Sequence, residues 1–466
     1  MVFTSITFLF AFLPLVLLLD ALAPPKTRNA VVLAASLLFY AWGEGPYVLL
    51  LFALFLGNAL AAPLVARARS TSRVLVLAIV VAGNLVPLLV FKYTNFALTS
   101  VYNLLGAVGA APHEPWHLRL HLPLGISFFT FQAISYQTDL WRNNEEAPAR
   151  TEQLGVYLFM FPQLVAGPIV RFQDVARELV HRTSSVLDRH EGLARFVQGL
   201  GKKVLIADVL ATAADPVFGA PEALSPQTAA IGLAAYSLQI YFDFSGYSDM
   251  AIGLGRMLGF SLPENFRHPY AARSVTDFWR RWHITLSSWF RDYVYVPMGG
   301  SRLGRLRTFV NLWIVFLLCG LWHGAAFNFI VWGAVHGAAL SVERIFRERA
   351  SLPRFLVIPL GHVWTLAVVS AAWVLFRSES LHSAGTFFAS LCGTGPPHEA
   401  KSFAFGTKVE TTLVLGAVLS IGPLRFFAKF RAVLRPLAVP ALVLVFVASL
   451  ARVIATTHSP FIYFRF

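Results

Sequence analysis

Long apolar segments recur along the whole of this 466-residue chain, separated by short polar or glycine- and proline-containing stretches. A helix needs about 20 predominantly apolar residues to cross the hydrocarbon core of a bilayer. Several of the segments are too short to cross alone. The candidate spans lie near residues 4–22, 30–43, 46–66, 74–91, 93–111, 121–140, 154–170, 196–214, 229–255, 308–322, 328–345, 355–376, 410–424 and 436–456. This pattern predicts an all-α, polytopic integral membrane protein, organised as a single integral membrane domain over residues 1–466.

Composition agrees with that pattern and excludes other classes. The chain is 56% hydrophobic and 14% aromatic, which is more apolar material than a soluble protein of this size can bury. Its net charge of +14 could suggest nucleic-acid binding. However, no soluble basic domain or stacking platform is visible to carry such binding, so we expect membrane lipid and no nucleic acid as a partner. The two cysteines cannot build a disulfide framework, and no metal site is expected from the Cys and His spacing.

Basic residues collect in short stretches between the apolar segments. Since cytoplasmic loops are enriched in Lys and Arg, these stretches are expected on the cytoplasmic side. The same rule places the arginine-rich region from residue 256 to residue 307 inside the cell, or dipping into the membrane from that side. The clusters include Arg67, Arg69 and Arg73; Arg171, Arg177, Arg182 and Arg189; and Arg344, Arg347, Arg349 and Arg354.

The stretch Thr276–Asp292 has apolar and aromatic residues at spacings of three and four, which predicts an amphipathic helix. Its polar flank carries Arg280, Arg281, His283 and Arg291. We expect an interfacial or re-entrant segment over about residues 274–300. One interpretation is a surface helix with no chemistry. The other is a basic mouth for an anionic donor such as a thioester carrier.

The apolar span that follows residue 235 contains Asp243 and Asp249. Hydrocarbon disfavours ionisable groups, so both carboxylates need a reason to be there. They could belong to a water-filled path through the membrane. The favoured interpretation is that they neutralise arginines such as Arg280 or Arg281 and hold helices together.

Another ionisable residue in an apolar segment is His323, in the tetrapeptide Leu321-Trp322-His323-Gly324 at the end of an apolar run. Glycine and the small residues that follow allow the helix to break and expose the imidazole to a cavity. Histidine can take up and return a proton near neutral pH, although a lone buried histidine is more often structural. Cys319 precedes His323 by one helical turn and leaves a thiolate nucleophile as a minor alternative. His336, on the next span, is expected to hydrogen-bond within the helix packing.

A set of motifs gives these residues a common context. The chain carries AGPIVRF (166–172), QGLGKKVLIAD (198–208), YFDFSGYSDMAIGLG (241–255), PENFRHPY (263–270), FWRRWHITLSSWFRDYVYVPMGG (278–300), GLWHGA (320–325), WGAVHG (332–337), WVLFR (373–377) and the ending PFIYFRF. In these motifs, and over nearly its whole length, it resembles the membrane-bound O-acyltransferase family. The resemblance implies a ring of short and tilted helices around a funnel and tunnel that connect the cytosol to the outer side.

The resemblance also implies an activity and a set of roles. Members of the branch that this chain resembles, which includes alginate O-acetylation proteins, pass an acyl group from a cytoplasmic donor to an extracytoplasmic acceptor. The family's invariant histidine matches His323 and its second histidine matches His283, which makes His323 the expected general base and His283 a donor-positioning or acid/base residue. Arg280, Arg281 and Trp282 would shape the cytoplasmic mouth. Trp322, Asp243 and Asp249 would then lie along the tunnel.

The expected donor is acetyl-CoA or an acylated carrier, with no bound cofactor, and the expected acceptor is a polysaccharide of the alginate type. The resemblance further implies a bacterial inner membrane location and a periplasmic partner of the serine-hydrolase type. Peptidoglycan or another cell-wall glycan is the alternative acceptor. A transporter or flippase remains the alternative of a different class, weakened by the absence of inverted helix pairs in the sequence.

Overall fold

The computed structural model describes residues 1–68, 72–110, 114–143, 148–222, 224–349, 354–394, 403–422, 435–455 and 461–462. No β-strand occurs among these residues, so the prediction of an all-α protein is confirmed. The helices are α1 (Leu13–Leu22), α2 (Arg28–Glu44), α3 (Val48–Arg67), α4 (Ser72–Leu88), α5 (Thr94–Ala107), α6 (Ile126–Arg142), α7 (Thr151–Phe159), α8 (Phe161–Leu164), α9 (Phe172–Val180), α10 (Val186–Gly201), α11 (Asp208–Gly219), α12 (Pro226–Met257), α13 (Val275–Trp279), α14 (Ile284–Phe290), α15 (Arg305–His323), α16 (Phe327–Arg349), α17 (Arg354–Arg377), α18 (Leu381–Cys392), α19 (Thr407–Ser420) and α20 (Ala438–Ala455). Short π-helical turns occupy Phe8–Phe12, Leu89–Tyr93, Lys202–Ala207 and Arg291–Tyr295, and 3-10 turns occupy Gly45–Tyr47, Pro269–Ala271 and Arg435–Leu437.

Six described stretches are long and apolar enough to cross a membrane. They are Arg28–Arg67, Ser72–Ala107, Arg305–His323, Phe327–Phe346, Ile358–Arg377 and Ala438–Ala455. Only 6% of the most apolar window of the last stretch is buried in the protein, and 11% of that of Ser72–Ala107. Such extensive outward apolar surface suits lipid and not water. The protein is therefore a multi-pass membrane protein.

Two pairs of predicted spans are each continuous in the structure. The spans expected near residues 30–43 and 46–66 form one helical stretch of 40 residues, and those near 74–91 and 93–111 form one of 36. In the first pair the Gly45–Tyr47 segment makes a single 3-10 turn between α2 and α3. In the second pair a π turn over Leu89–Tyr93 links α4 to α5. Glycine and proline therefore change the local helix type here without ending the helical stretch.

The chain divides into two units, residues 1–193 with 251–263, and residues 194–250 with 264–466. The expectation of a single integral membrane domain over residues 1–466 stays a prediction, as does the funnel.

The first unit is held together by aromatic packing and one buried ion pair. Phe3, Phe8, Phe39 and Phe161 form a cluster with ring centroids 5.0 to 6.5 Å apart. Arg182 donates to Asp20 Oδ1 at 2.8 Å and to the Leu258 carbonyl at 2.6 Å. Its guanidinium also lies 5.0 Å from the centre of the Phe260 ring. Since a buried charge without a partner is costly, Arg182 ties the segment that precedes α10 to the chain that follows α12.

Close packing of α15 against α16 is the main feature of the second unit. Glycines let the two helices approach, because a Cβ at Gly320 would collide with the Phe329 carbonyl and a Cβ at Gly333 with the Phe316 carbonyl. The connection between the two helices is short, with Gly324 in extended conformation directly after His323. This helical hairpin fixes the position of His323 at the end of α15.

Gly333→Val should disrupt the hairpin, because the new side chain meets a backbone oxygen that cannot rotate away. We expect a destabilisation of about 1–3 kcal/mol or more from overpacking, seen as a lower unfolding temperature and lower yield of detergent-solubilised monomer. Gly385→Val in α18 is the matched control, since a Cβ at Gly385 has no atom within 4 Å. Equal effects of the two changes would contradict the close-packing argument.

Candidate functional site

The stretch predicted as one amphipathic helix from Thr276 to Asp292 is two short helices, so that prediction is wrong. Ser274 caps α13, its hydroxyl accepting from the Asp277 backbone N–H at 2.9 Å. The chain then turns, and His283 adopts a left-handed conformation with φ of +42° before α14 begins. Residues with positive φ interrupt a right-handed helix, and histidine is one of the side chains that tolerate this conformation. The turn points the imidazole inward instead of along a polar flank.

Burial explains why the stretch folds this way. The aromatic residues of this stretch are packed inside the second unit. Phe278 and Trp282 are each 1% exposed, and their rings stack at 5.6 Å. A single helix would present one apolar face, whereas two helices joined by a turn bury aromatic residues on several sides. The expectation of an interfacial or re-entrant path over residues 274–300 stays a prediction.

Asn265, which precedes this turn in the sequence, fastens it. The Ile284 N–H donates to the Asn265 backbone carbonyl at 3.0 Å. The Asn265 side-chain oxygen accepts from the Thr285 N–H at 3.3 Å and from the Thr285 hydroxyl at 2.9 Å, and lies 3.1 Å from Nδ1 of His283. The Asn265 amide nitrogen donates to the Ser248 hydroxyl at 3.2 Å. This fully buried amide therefore connects α12, the turn and the start of α14.

His283 is completely buried among rings. The Phe244 ring lies perpendicular to the imidazole with centroids 4.7 Å apart, and the Trp322 ring centroid lies 6.0 Å away. Burial lowers the pKa of His283 to about 3, because an imidazolium loses its hydration in this environment. The side chain is therefore neutral at physiological pH.

His323 ends α15 inside an aromatic cage and is 3% exposed. Its ring centroid lies 4.9 Å from that of Trp322, 5.0 Å from that of Trp332 and 5.1 Å from that of Phe376. Because Trp322 also contacts His283, the structure brings the two histidines to the same indole ring. Packing at this density holds the His323 ring in place and excludes bulk water from it.

His336 occupies a different position, on α16. The Trp279 indole N–H donates to His336 Nδ1 at 3.3 Å. Phe278 stacks parallel to the His336 imidazole at 6.5 Å, and Trp332 meets it at 4.8 Å. The hydrogen bond gives His336 a role in packing α13 against α16.

A cavity of about 440 Å³ opens beside this aromatic core. Its inner wall includes Trp279, Phe316 and Cys319, and its polar residues include Arg280 and Arg291. Both arginines are exposed. A volume of this size falls in the range of small-molecule and cofactor sites. An apolar interior with cationic groups at the edge suits a ligand that combines an apolar or extended arm with anionic groups.

The three residues expected at the cytoplasmic mouth have different positions. Arg280 lines the cavity and makes no ion pair with any described residue. Arg281 is paired with Asp277 at 2.9 Å and does not line the cavity. Trp282 is buried against Phe266 and Trp373, at 5.1 and 4.9 Å. Of the three, Arg280 alone can meet a ligand in this cavity, while Trp282 supports the turn from behind.

The expected partners of the two aspartates on α12 need correction. Asp243 pairs with Lys203 at 2.7 Å, and its second carboxylate oxygen accepts from the Ile462 N–H at 2.7 Å. Asp249 pairs with Arg195 at 2.6 Å and with Lys202. The partners are therefore not Arg280 or Arg281, and neither aspartate lines the cavity.

The physical reason lies in the helices next to α12. The end of α10 approaches α12 through glycines, since a Cβ at Gly199 would lie 2.5 Å from the Gly246 carbonyl. The π turn that follows brings Lys202 and Lys203 to the aspartates. Charge alone could not rank these lysines against nearby arginines, because the choice depends on which helices are neighbours.

Comparisons with known proteins decide the family. The sequence profile described as MBOAT, the membrane-bound O-acyltransferase family, matches residues 119–373. The chain is 39% identical to the probable alginate O-acetylase AlgI of Pseudomonas putida over 496 residues, covering 100% of both chains. It is 43% identical to the probable alginate O-acetylase AlgI of Pseudomonas aeruginosa over 437 residues, covering 92% of this chain and 82% of that protein. The chain belongs to the membrane-bound O-acyltransferase family.

The peptidoglycan O-acetyltransferase of Helicobacter pylori is 35% identical over 466 residues, covering 91% of this chain and 86% of that protein. This protein is thus a multi-pass membrane O-acyltransferase, and the enzyme interpretation prevails over a transporter. His283 and His323 both lie within residues 119–373, the region that the family profile matches.

Three residues of the site were not identified from the sequence. Asn265 stands within PENFRHPY, 18 positions before His283, and no periodicity links the two. Phe244 and Trp332 lie in apolar spans with many other aromatic residues, and the sequence does not distinguish them from these. A buried amide flanked by loop residues is a usable signal for Asn265, because such a group needs hydrogen-bond partners. For the two aromatic residues the sequence carries no comparable signal.

The Asp243–Lys203 pair should act on folding and not on donor binding. Asp243→Asn leaves Lys203 with Asp208 as its remaining carboxylate partner. Leaving a buried charge without any partner costs about 3–5 kcal/mol, and Asp208 reduces this cost. We still expect a lower unfolding temperature and less folded protein in the membrane. Adding Lys203→Met to the same chain removes the buried cation that has lost one of its two carboxylate partners and should restore part of the loss. A raised KM for donor in Asp243→Asn without loss of stability would refute this structural role.

Proposed function

We propose that this protein transfers acetyl groups from a cytoplasmic donor to hydroxyl groups of a polysaccharide outside the membrane. The first candidate acceptor is an alginate-type exopolysaccharide. The observation that carries the proposal is the meeting of His283 and His323 at Trp322, inside a chain that belongs to an O-acyltransferase family. The names of the relatives in Pseudomonas favour alginate as the acceptor.

The chemistry requires one proton acceptor near the reacting hydroxyl. The oxygen attacks the carbonyl carbon of the donor thioester, a C–O bond forms, and the thiolate leaves and takes a proton. An imidazole that removes the hydroxyl proton as the bond forms contributes about 10² to 10⁴-fold in rate. His323 is the general base in this proposal. Its cage of Trp322, Trp332 and Phe376 limits hydrolysis of the donor by excluding water.

The donor would use the cavity beside α13 and α14. Acetyl-CoA and an acylated carrier both present a thioester on a long thin arm that ends in phosphate. Arg280 at the cavity can meet phosphate, since guanidinium groups hold such oxygens by charge-assisted hydrogen bonds. Arg291 also lines the cavity, and its charge is partly neutralised by Asp292 at 2.6 Å. Trp279 and Phe316 provide the apolar wall for the arm.

The location and the partner follow from the same proposal. An acyl group that leaves the cytoplasm and reaches a polysaccharide outside must cross the inner membrane of a bacterium. We expect a periplasmic partner of the serine-hydrolase type to receive or position the acetyl group. The peptidoglycan O-acetyltransferase among the relatives makes peptidoglycan the second candidate acceptor.

His323→Gln should remove the activity while keeping the fold, because glutamine fills a similar volume but cannot accept a proton at neutral pH. We expect protein level and membrane insertion close to wild type, and acetyl ester content of the exported polymer reduced at least about 100-fold, in line with the loss of a general base. The measurement is acetyl ester content of isolated exopolysaccharide and of peptidoglycan in cells lacking the gene and complemented with each variant. Retained acetylation with His323→Gln would remove His323 from the mechanism.

The polymer that loses its esters identifies the acceptor. Loss from exopolysaccharide alone supports the alginate-type proposal, and loss from peptidoglycan alone supports the second candidate. Unchanged esters in both polymers on deletion would contradict the proposed function.

Arg280→Gln should weaken donor binding, because the variant removes a cation that faces the cavity. We expect a donor KM raised by about 10-fold, the equivalent of one charge-assisted hydrogen bond of about 1.5 kcal/mol, with kcat little changed. Arg281→Gln carries the same change in net charge at the neighbouring position. Since Arg281 pairs with Asp277, that variant should lower protein level and not raise KM. Equal KM values in the two variants would count against the cavity as the donor site.

A further inference from the structure

We propose that Asn265 is a positioning residue that keeps the proton of neutral His283 on Nδ1, so that Nε2 carries the lone pair. The inference rests on the proposed function and defines the role of His283 more narrowly. In the resting enzyme His283 can accept a hydrogen bond or a proton through Nε2, and it cannot act as a proton donor there.

The orientation of the Asn265 amide follows from its partners. The backbone N–H of Thr285 can only donate, and it lies 3.3 Å from the Asn265 side-chain atom that also faces the Thr285 hydroxyl at 2.9 Å. That atom must therefore be the carbonyl oxygen. The amide nitrogen is then directed at the Ser248 hydroxyl, which accepts from it at 3.2 Å. An inverted amide would place its NH₂ group against the Thr285 N–H and leave two buried donors opposed.

The orientation of the amide decides the tautomer of His283. A carbonyl oxygen cannot donate, so the 3.1 Å contact with Nδ1 is a hydrogen bond only when His283 carries its proton there. The proton of a neutral imidazole sits on one nitrogen, and Nε2 is then the acceptor. His336 has the opposite arrangement, because its Nδ1 accepts from the Trp279 indole N–H. The structure therefore assigns different tautomers to two buried histidines of one unit.

The same amide also fixes where Nε2 points. His283 is held in the left-handed conformation by hydrogen bonds that the next two residues donate to Asn265. The Ile284 N–H donates to the Asn265 backbone carbonyl, and the Thr285 N–H and hydroxyl donate to its side-chain oxygen. Left-handed backbone in a residue other than glycine costs about 1–3 kcal/mol and persists only when its surroundings impose it. Asn265 and the neighbouring backbone bond impose it here.

Three uncharged side chains contact the His283 ring. The elements packed against its ring present Asn265, Phe244 and Trp322 to it. On α12, Asp243 precedes Phe244 and is neutralised by Lys203. On α15, the titratable neighbour of Trp322 is His323 itself. A carboxylate introduced at position 265 would add a negative charge at the atom that lies 3.1 Å from His283 Nδ1.

Asn265→Asp tests the inference, because aspartate keeps the acceptor oxygen and the shape but adds a charge. The carboxylate can still accept from the Thr285 N–H, the Thr285 hydroxyl and His283 Nδ1, so the turn should form. An adjacent carboxylate favours the imidazolium and raises the pKa of His283 by about 1–3 units. Protonation of Nε2 removes the acceptor, and activity should then be lost progressively as the pH falls through the raised pKa. In the wild type the pKa of His283 is too low for this loss near neutral pH.

The measurement is acetyl transfer by full-length protein in membranes, from pH 4 to pH 8, for wild type, Asn265→Asp and Thr285→Val, because a pKa of about 3 raised by about 1–3 units lies between about pH 4 and pH 6. On the acid side of the profile, we expect the pH at which activity falls to half to be higher in Asn265→Asp than in the wild type by about one unit or more. This fall is called the acid limb below. Thr285→Val removes one bond to the same oxygen without adding charge, so it should lower activity without moving that limb. A profile of Asn265→Asp that coincides with the wild type at equal protein level would overturn the inference.

His283→Asn provides a second test that does not depend on position 265. Asparagine accepts left-handed backbone readily, and its amide can replace the Nδ1–H donor to Asn265. It has no atom in place of Nε2. We expect normal protein level with activity at least about 10-fold lower. Wild-type activity in this variant would show that His283 serves only to hold the turn, which contradicts the role assigned to Nε2.

The two ideas fail in different ways. If wild-type membranes transfer no acetyl groups to any polysaccharide, the proposed function fails. If wild-type transfer is normal but the pH profile of Asn265→Asp or the activity of His283→Asn matches it, the function stands and the inference is rejected.

Discussion

A polar side chain buried in this protein has to be satisfied by the protein itself, because lipid offers neither hydrogen bonds nor hydration. This constraint accounts for the best-defined contacts of both units. Arg182 meets Asp20 in the first unit, and Asp243 meets Lys203 in the second. Removing one member of such a pair leaves a charge where it cannot be solvated, so the pairs act as fixed points for the helices that carry them.

The same constraint shapes the site. Asn265 has no exposure, and its side-chain amide has defined partners on α12, in the turn and in the first turn of α14. That amide then determines how His283 is oriented and which nitrogen carries its proton. A loop residue with no chemistry of its own therefore controls a side chain that has chemistry. Glycines at 320 and 333 have an analogous effect on His323, since close approach of α15 and α16 sets where α15 ends.

Aromatic packing completes the site by linking groups that are distant in sequence. Trp322 touches both His283 and His323, and Trp332 touches both His323 and His336. Rings of this size fill space with few rotatable bonds, so they hold neighbouring imidazoles in one orientation. They also keep the reacting region dry while the cavity beside α13 and α14 stays open to a charged ligand.

The sequence by itself determined that this is an all-α, multi-pass membrane protein of the O-acyltransferase family, since hydropathy and long motifs need no knowledge of neighbouring helices. It also singled out His283, His323 and Arg280. Only the tertiary structure decided that Thr276–Asp292 breaks in two, that Asp243 and Asp249 pair with cations near residue 200, and that Asn265 holds His283. Periodicity reports how one segment divides its apolar and polar faces, whereas the partner of a buried charge or amide depends on which segments the fold makes neighbours.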